Sequence, residues 1–167
     1  MQFKVGDVVV HPVYGVSTIV KITEKRLSEM EVHLSYEIAL PRRTVWIPIK
    51  AQASVGLRLV TAKSDLDRYR DLLKSSPVPL NNAQPQRRHE ELARRLKQGS
   101  FPVMCEIVRD LTASGWQKPL GATAKAILKK TQEKLYQEWA AAAEISIPEA
   151  TKEIETLLQT TQAAASK

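Results

Sequence analysis

The chain predicts an α+β protein in two parts, a small β-barrel of Tudor or SH3 type followed by an all-α helical bundle. Three observations carry this expectation. Residues 30–40 alternate apolar and polar side chains with a period of two. Beyond residue 64 the apolar residues recur at three and four, the spacing of a helix face. Glycine and proline punctuate the steps between these patterns. The boundary is expected near residue 62, giving parts 1–62 and 63–167.

The elements follow in order. Phe3-Lys4-Val5-Gly6-Asp7 leads into a strand at Val8, Val9 and Val10, which turns at His11-Pro12-Val13-Tyr14-Gly15. Val16, Thr18, Val20 and Ile22 alternate in a second strand, and a polar hairpin is expected over 25–29. Met30, Val32, Leu34, Tyr36, Ile38 and Leu40 then share one face of a third strand. Thr44-Val45-Trp46-Ile47-Pro48-Ile49 makes a fourth, closed by Pro48, and 57–60 a short fifth.

Ser64 is placed to cap a helix over 65–74, with Asp65 and Asp67 at its positive end. Pro77, Pro79 and Pro85 break the chain after it. Leu92 and Leu96 mark a helix that Gly99 closes, and Val103, Met104, Ile107, Val108 and Leu111 mark one that Gly115 ends. A long helix carries Ile127, Leu128, Leu135, Trp139 and Ala142 inward. Ser146-Ile147-Pro148-Glu149 reads as a capping box that starts a last helix, with Ile154, Leu157 and Leu158 inside.

Composition restricts the function. The formal charge of +7 favours a polyanionic partner, and it is localised: residues 81–130 hold ten Lys/Arg against four Asp/Glu, while 131–167 hold three against six. A single cysteine excludes an intrachain disulfide, and no apolar run approaches a membrane span. Met1-Gln2-Phe3-Lys4 lacks the apolar core of a signal peptide. These features lead to the expectation of a cytoplasmic protein. His11, His33 and His89 have no metal-ligand partners at suitable spacing, no phosphate-cradling Gly-x-x-x-x-Gly-Lys loop is present, and Cys105 sits in an apolar stretch. No enzyme activity, metal or cofactor is expected.

Binding chemistry is better represented. Arg87, Arg88, Arg94, Arg95 and Lys97 cluster on one helix, and Lys118, Lys125, Lys129, Lys130 and Lys134 around another. Each such group that meets a phosphate releases counterions. The alternative is a solvated helix face, with Glu90 paired to Arg94 and Glu91 to Arg95. Trp46, outward by alternation with Thr44 and Pro48, stands near Arg42 and Arg43 as an interface anchor. Its alternative is burial against the helical part. Trp139 falls on an apolar stripe and reads as core; Trp116 lies in an expected Ser-Gly-Trp-Gln loop with either role open.

Phe3-Lys4-Val5-Gly6-Asp7-Val8-Val9-Val10-His11-Pro12 with Gly15, then Ile47-Pro48 and Ser54-Val55-Gly56-Leu57-Arg58, resembles the CarD family of bacterial transcription regulators. Arg87-Arg88, Gly99, Glu106-Ile107-Val108-Arg109-Asp110-Leu111 and the stretch 120–138 resemble that family's C-terminal domain. The resemblance implies a Tudor-like domain that grips the β subunit of RNA polymerase and a helical domain that contacts promoter DNA at the upstream edge of the bubble. Tighter binding to melted than to closed promoter would shift the equilibrium toward the open complex. By position, Lys25 and Trp46 fall where the family places polymerase contacts, with Arg42 and Arg43 beside them. Lys125 and Lys130, with Lys129 between, fall where it places DNA-facing residues. It implies a monomeric protein reaching the nucleoid through the polymerase.

One position departs from the family. A tryptophan that wedges into the minor groove typically precedes the Arg87-Arg88 pair by two residues, and Pro85 stands there. Proline is a known apolar wedge, of much smaller area than an indole. Two rivals follow: a polymerase-docking adaptor whose helical domain binds another protein, and a stand-alone basic DNA-architectural protein.

Overall fold

The computed structural model describes residues 2–80, 84–97 and 99–165, apart from the side chains of Leu27, Ala164 and Ala165. Residues 81–83 of the expected proline-rich break lie outside the described residues. The chain divides into two compact units, Met1–Val60 and Thr61–Lys167.

The first unit is one five-stranded antiparallel sheet of β1 (Val8–His11), β2 (Gly15–Ser28), β3 (Glu31–Ala39), β4 (Thr44–Pro48) and β5 (Arg58–Leu59). Their order is β4-β3-β2-β1-β5. β4 and β5 are its two ends, and no ladder joins them among the described residues. The expected closed barrel is therefore an open sheet in its hydrogen bonding. Phe3, Val9, Ile19, Tyr36, Ile38, Ile47 and Leu57 form its core. The Tyr36 hydroxyl accepts the Phe3 N–H at 3.0 Å and donates to Gln52 Oε1 at 2.7 Å, so a phenol buried in apolar surroundings is satisfied twice. A single-turn helix α1 (Gln52–Val55) follows β4, and Gly56 closes it at φ 85°. A Cβ there would lie 3.0 Å from Pro12 Cγ, so both the backbone angle and the close approach require glycine.

Two strand expectations change. β2 runs on to Ser28, with Lys25 opposite His33 and Arg26 opposite Val32, so the expected polar hairpin is strand and the turn shrinks to Glu29 and Met30. A bulge lies between Ile19 and Lys21. Ile19 and Ser17 face inward while Thr18 and Val20 are exposed, the reverse of the alternation expected upstream. Farther along, β4 pairs only with 35–39 of β3. Val32 and Leu34 thus belong to a two-stranded ribbon without a covering partner, and they stay exposed.

The second unit consists of α2 (Leu66–Lys74), α3 (Pro85–Lys97), α4 (Phe101–Gln117), α5 (Ala122–Ala143) and α6 (Ile147–Ala165). α4 packs on α5, α5 on α6, and α2 against both α4 and α6. Leu66, Leu73, Cys105, Val108, Leu135, Trp139 and Ile154 are fully buried there. Tyr69 meets Phe101 edge to face at 4.7 Å, and Phe101 lies 6.1 Å from Trp139. A smaller cluster of Leu92, Ile107, Leu111 and Ala124 holds α3. The only large buried side chain that α3 supplies is Leu92.

The caps differ in detail. The Ser146 Oγ accepts the Glu149 N–H at 3.2 Å, as a capping box requires, and Gly99 takes φ 67° after α3. Ser64 caps nothing: it lies in a 3₁₀ turn, Lys63–Asp65, that leads into α2. α4 passes through Gly115 to Gln117, because Leu120 packs over the glycine, 3.6 Å from where a Cβ would stand. Trp116 is thus half-buried in the last turn of α4 and not in a loop.

Truncating the one large anchor should release α3 selectively. Leu92→Ala is expected to cost about 2–4 kcal/mol, as for a buried leucine. Amide exchange should accelerate along α3 while the α5 and α6 amides around Trp139 keep their protection. Equal acceleration in all helices would show that α3 is integral to the bundle.

Candidate functional site

The bulge at Val20 decides which way the second half of β2 faces. Past it, Lys21 pairs with Glu37, Ile22 with Tyr36, Thr23 with Ser35 and Lys25 with His33. Ile22 therefore joins the core side, and Lys21, Thr23 and Lys25 join the opposite side of the sheet. β4 presents Thr44, Trp46 and Pro48 on that side, because Val45 and Ile47 pair with the core residues Ile38 and Tyr36. There the Lys25 ammonium lies 3.7 Å from the centre of the Trp46 ring. Such a contact contributes about 0.5–1 kcal/mol at an exposed site. Trp46 is 42% exposed, as the interface reading expects. Ser35, between the strands that carry the pair, is buried. The Thr23 Oγ1 is buried without a hydrogen-bond partner among the described residues.

A second cationic stack lies in the same unit. The Arg43 guanidinium sits 4.9 Å from the Tyr14 ring centre, and Tyr14 lies 4.5 Å from the His11 ring. Arg42 is exposed in the turn between β3 and β4, with no ion pair or ring contact among the described residues. His11 is buried, and its Nδ1 accepts the N–H groups of Val13 at 2.9 Å and Tyr14 at 3.2 Å. The neutral ring with its proton on Nε2 is the form that fits. Sequence reading found His11 and Arg43 separately; their link through Tyr14 depends on a turn geometry that residue types do not encode.

Burial lowers the His11 pKa below its ordinary 6.5. The unfolded chain then binds the proton more readily than the native one. The stability that His11 contributes is complete above the unfolded pKa and is lost as pH falls through the folded one. Thermal melts between about pH 7 and 5 should show a steeper acid decline in the wild type than in His11→Asn. Identical declines would remove His11 as the cause.

In the helical unit the two basic clusters separate by chemistry. On α3, Arg94 binds Glu91 at 2.6 Å and Arg95 reaches Glu106 of α4 at 2.7 Å. The expected pairs of Glu90 with Arg94 and Glu91 with Arg95 do not form. Glu91 takes Arg94 through two nitrogens, and Arg95 turns to α4. Arg87 donates to Gln84 at 3.1 Å, and half-buried Arg88 lies against its neighbour His89. On α5, Lys125, Lys129 and Lys130 are exposed and make no ion pair among the described residues. Lys134, one turn beyond Lys130, is half-buried, and burial together with the Lys130 charge lowers its pKa. Pro85 is exposed as the first residue of α3, where its fixed φ suits a helix start.

No group of three metal-ligating side chains occurs among the described residues. The Cys105 thiol is fully buried, and desolvation holds its pKa far above the ordinary range, the reverse of an activated nucleophile.

A sheet with a cation–aromatic face and a bundle with a lysine-lined helix have the surfaces of a protein that contacts other macromolecules. Residues 3–60 match the CarD-like/TRCF RID domain, and residues 69–155 match the C-terminal domain of CarD. The chain belongs to the CarD-like family of transcription factors. It is 28% identical over 139 residues to the "Putative transcription factor YdeB" of Bacillus subtilis (strain 168), covering 82% of this chain and 90% of that one. No helix among the described residues is long and apolar enough to cross a membrane.

Proposed function

We propose that this protein regulates transcription by docking on the RNA polymerase β subunit through the sheet face that carries Lys25 and Trp46. The observation that carries this reading is the exposed Trp46 ring with the Lys25 ammonium 3.7 Å above it. The flat indole offers apolar area at low entropic cost, and the ammonium is held ready for an acidic partner. Arg42 and Arg43 extend the surface, Arg43 being ordered by Tyr14. In a pull-down with isolated β subunit, Trp46→Ala should weaken binding about tenfold or more, the loss of a hot-spot residue. Lys25→Glu should do the same. Undiminished binding in both would move the docking surface elsewhere.

Promoter DNA contact is assigned to Lys125, Lys129 and Lys130 of α5, with Arg87, Arg88 and Pro85 at the start of α3. The exposed α5 lysines support the first part. A protein neutralising three phosphates follows salt with a logarithmic slope of about −2.7, a loss of roughly fortyfold between 50 and 200 mM. Replacing all three lysines by glutamine should flatten that response on forked promoter DNA. A steep response that survives the replacement would remove α5 from the interface. DNA held this way, and more tightly once melted, would favour the open complex. The adaptor reading, in which the helical unit binds protein, draws support from the internal pairing of Arg94 and Arg95 and from proline at position 85. Under either reading the protein would work in the cytoplasm, as a monomer and without a cofactor.

A further inference from the structure

A groove of about 540 Å³ lies in the helical unit between α3 and the segment 78–80, on the side of α3 that also carries Leu92. Cavities of roughly 300–1,000 Å³ are the size that encloses small ligands. Its two walls differ chemically. Val78, Pro79 and Leu80 make one wall, and the arginines of α3 make the other. The apolar wall is pinned in place. Asp110, itself 5% exposed, accepts the Val78 N–H at 2.9 Å and the Arg109 Nε–H at 2.9 Å. Arg109 also donates to the Ser75 Oγ at 2.7 Å, so a buried ion pair of α4 holds the chain at Ser75 and at Val78, where it enters the groove.

The charge of the lining selects the ligand. Four arginines, 87, 88, 94 and 95, face the carboxylates of Glu90, Glu91 and Asp110. Asp110 is further offset by Arg109 behind it, and Arg94 is satisfied by Glu91. Arg87 is exposed and held only by a hydrogen bond to Gln84 among the described residues, so its guanidinium can turn to an incoming oxyanion. A planar fork of donors suits a phosphate. The apolar wall of the same groove suits a flat ring, and guanidinium planes stack on bases readily.

We propose that this groove binds a nucleoside phosphate, with its phosphate at Arg87 and its base against Val78, Pro79 and Leu80. The ligand could come free or as one nucleotide of an unpaired strand, and the shared chemistry is the same. The inference goes beyond polymerase docking; it shares Arg87 with the α3 part of the DNA assignment and is independent of the α5 lysines, on which the other part stands.

Titration calorimetry on the full chain tests it with three probes: GTP, inorganic phosphate and a (dT)₈ strand. Saturable GTP binding is expected, with inorganic phosphate far weaker because it lacks the ring. Arg87→Gln should weaken GTP about tenfold, equivalent to about 1.4 kcal/mol, and Val78→Asp should abolish binding by setting a carboxylate in the apolar wall. Val78 is exposed, so Val78→Asp leaves the core intact, and circular dichroism checks it. Lys152→Gln on α6 should change nothing. If (dT)₈ binds more tightly than GTP and loses affinity in both groove variants, the nucleotide of a strand is the occupant and the groove stands. Inorganic phosphate binding as well as GTP would overturn the proposal, as would GTP affinity unmoved by both variants. Complete displacement of GTP by a poly-glutamate peptide would also overturn it and assign the groove to an acidic protein.

Discussion

One extra residue in β2 sets which side of the sheet Lys25 faces, and with it the cation–aromatic pair on which the proposed docking surface rests. Ile19 pairs with Ile38 on the core side. A regular ladder would next set Val20 against Glu37 and Lys21 against Tyr36, sending Lys21 into the core and turning Thr23 and Lys25 away from the side of Trp46. Val20 is instead bulged, Lys21 meets Glu37, and the strand reverses its faces. The reversal brings Ile22 to the core and puts Lys25 on the side of Trp46. Forcing the Lys21 ammonium against Tyr36 in the apolar core would cost several kcal/mol. The energetic penalty of a regular ladder is therefore far larger than the single lost pairing that a bulge costs. The same step leaves Val20 itself exposed, which is small by comparison.

In the helical unit the corresponding constraint is α4. It carries one face into the large cluster around Trp139 and another into the small cluster around Leu92. The Arg109–Asp110 pair lies on it, almost fully buried. A buried ion pair contributes little net stability, because desolvation offsets the attraction. Its hydrogen bonds to Ser75, the Leu72 carbonyl and Val78 give it a different effect. They fix where the chain runs after α2, from Leu72 through Ser75 to Val78. α3 can then be strongly basic and weakly anchored without drifting along the bundle.

Much of this was legible from residue types. The strand within 30–40, the apolar spacings of three and four, and the Ser146 cap are local signals, and the structure keeps them, although only Tyr36, Ile38 and Leu40 of the expected apolar face reach the core. Features set by pairing between distant segments were not legible. The bulge inverts an alternation that looks regular in Val16, Thr18, Val20 and Ile22. Gly115 reads as a stop until Leu120 is seen packed over it. The lack of a β4–β5 ladder is likewise a property of sheet curvature, which five short strands do not specify. For the sites, outward Trp46 follows from alternation alone, whereas its contact with Lys25 needed the register. Glu91 and Arg94 lie close enough for helix geometry to pair them, but Arg95 with Glu106 required knowing which helices touch.

The +7 charge of the chain is therefore not available uniformly. An arginine bound to a carboxylate at 2.6 or 2.7 Å has already met its counterion, and it releases none from DNA without first breaking that bond. Two of the five basic residues that make α3 conspicuous in the sequence are thus held by carboxylates of α3 and α4. Lys125, Lys129 and Lys130 of α5 make no ion pair among the described residues and are exposed, so their charge faces the solvent. A polyanion approaching the helical unit gains more from three such lysines than from the larger number of arginines on α3. The paired arginines still have a use. The Arg95–Glu106 pair ties the second half of α3 to α4, while Arg87 and Arg88 at its first turn line the groove with Val78, Pro79 and Leu80, where charge density alone does not determine what binds.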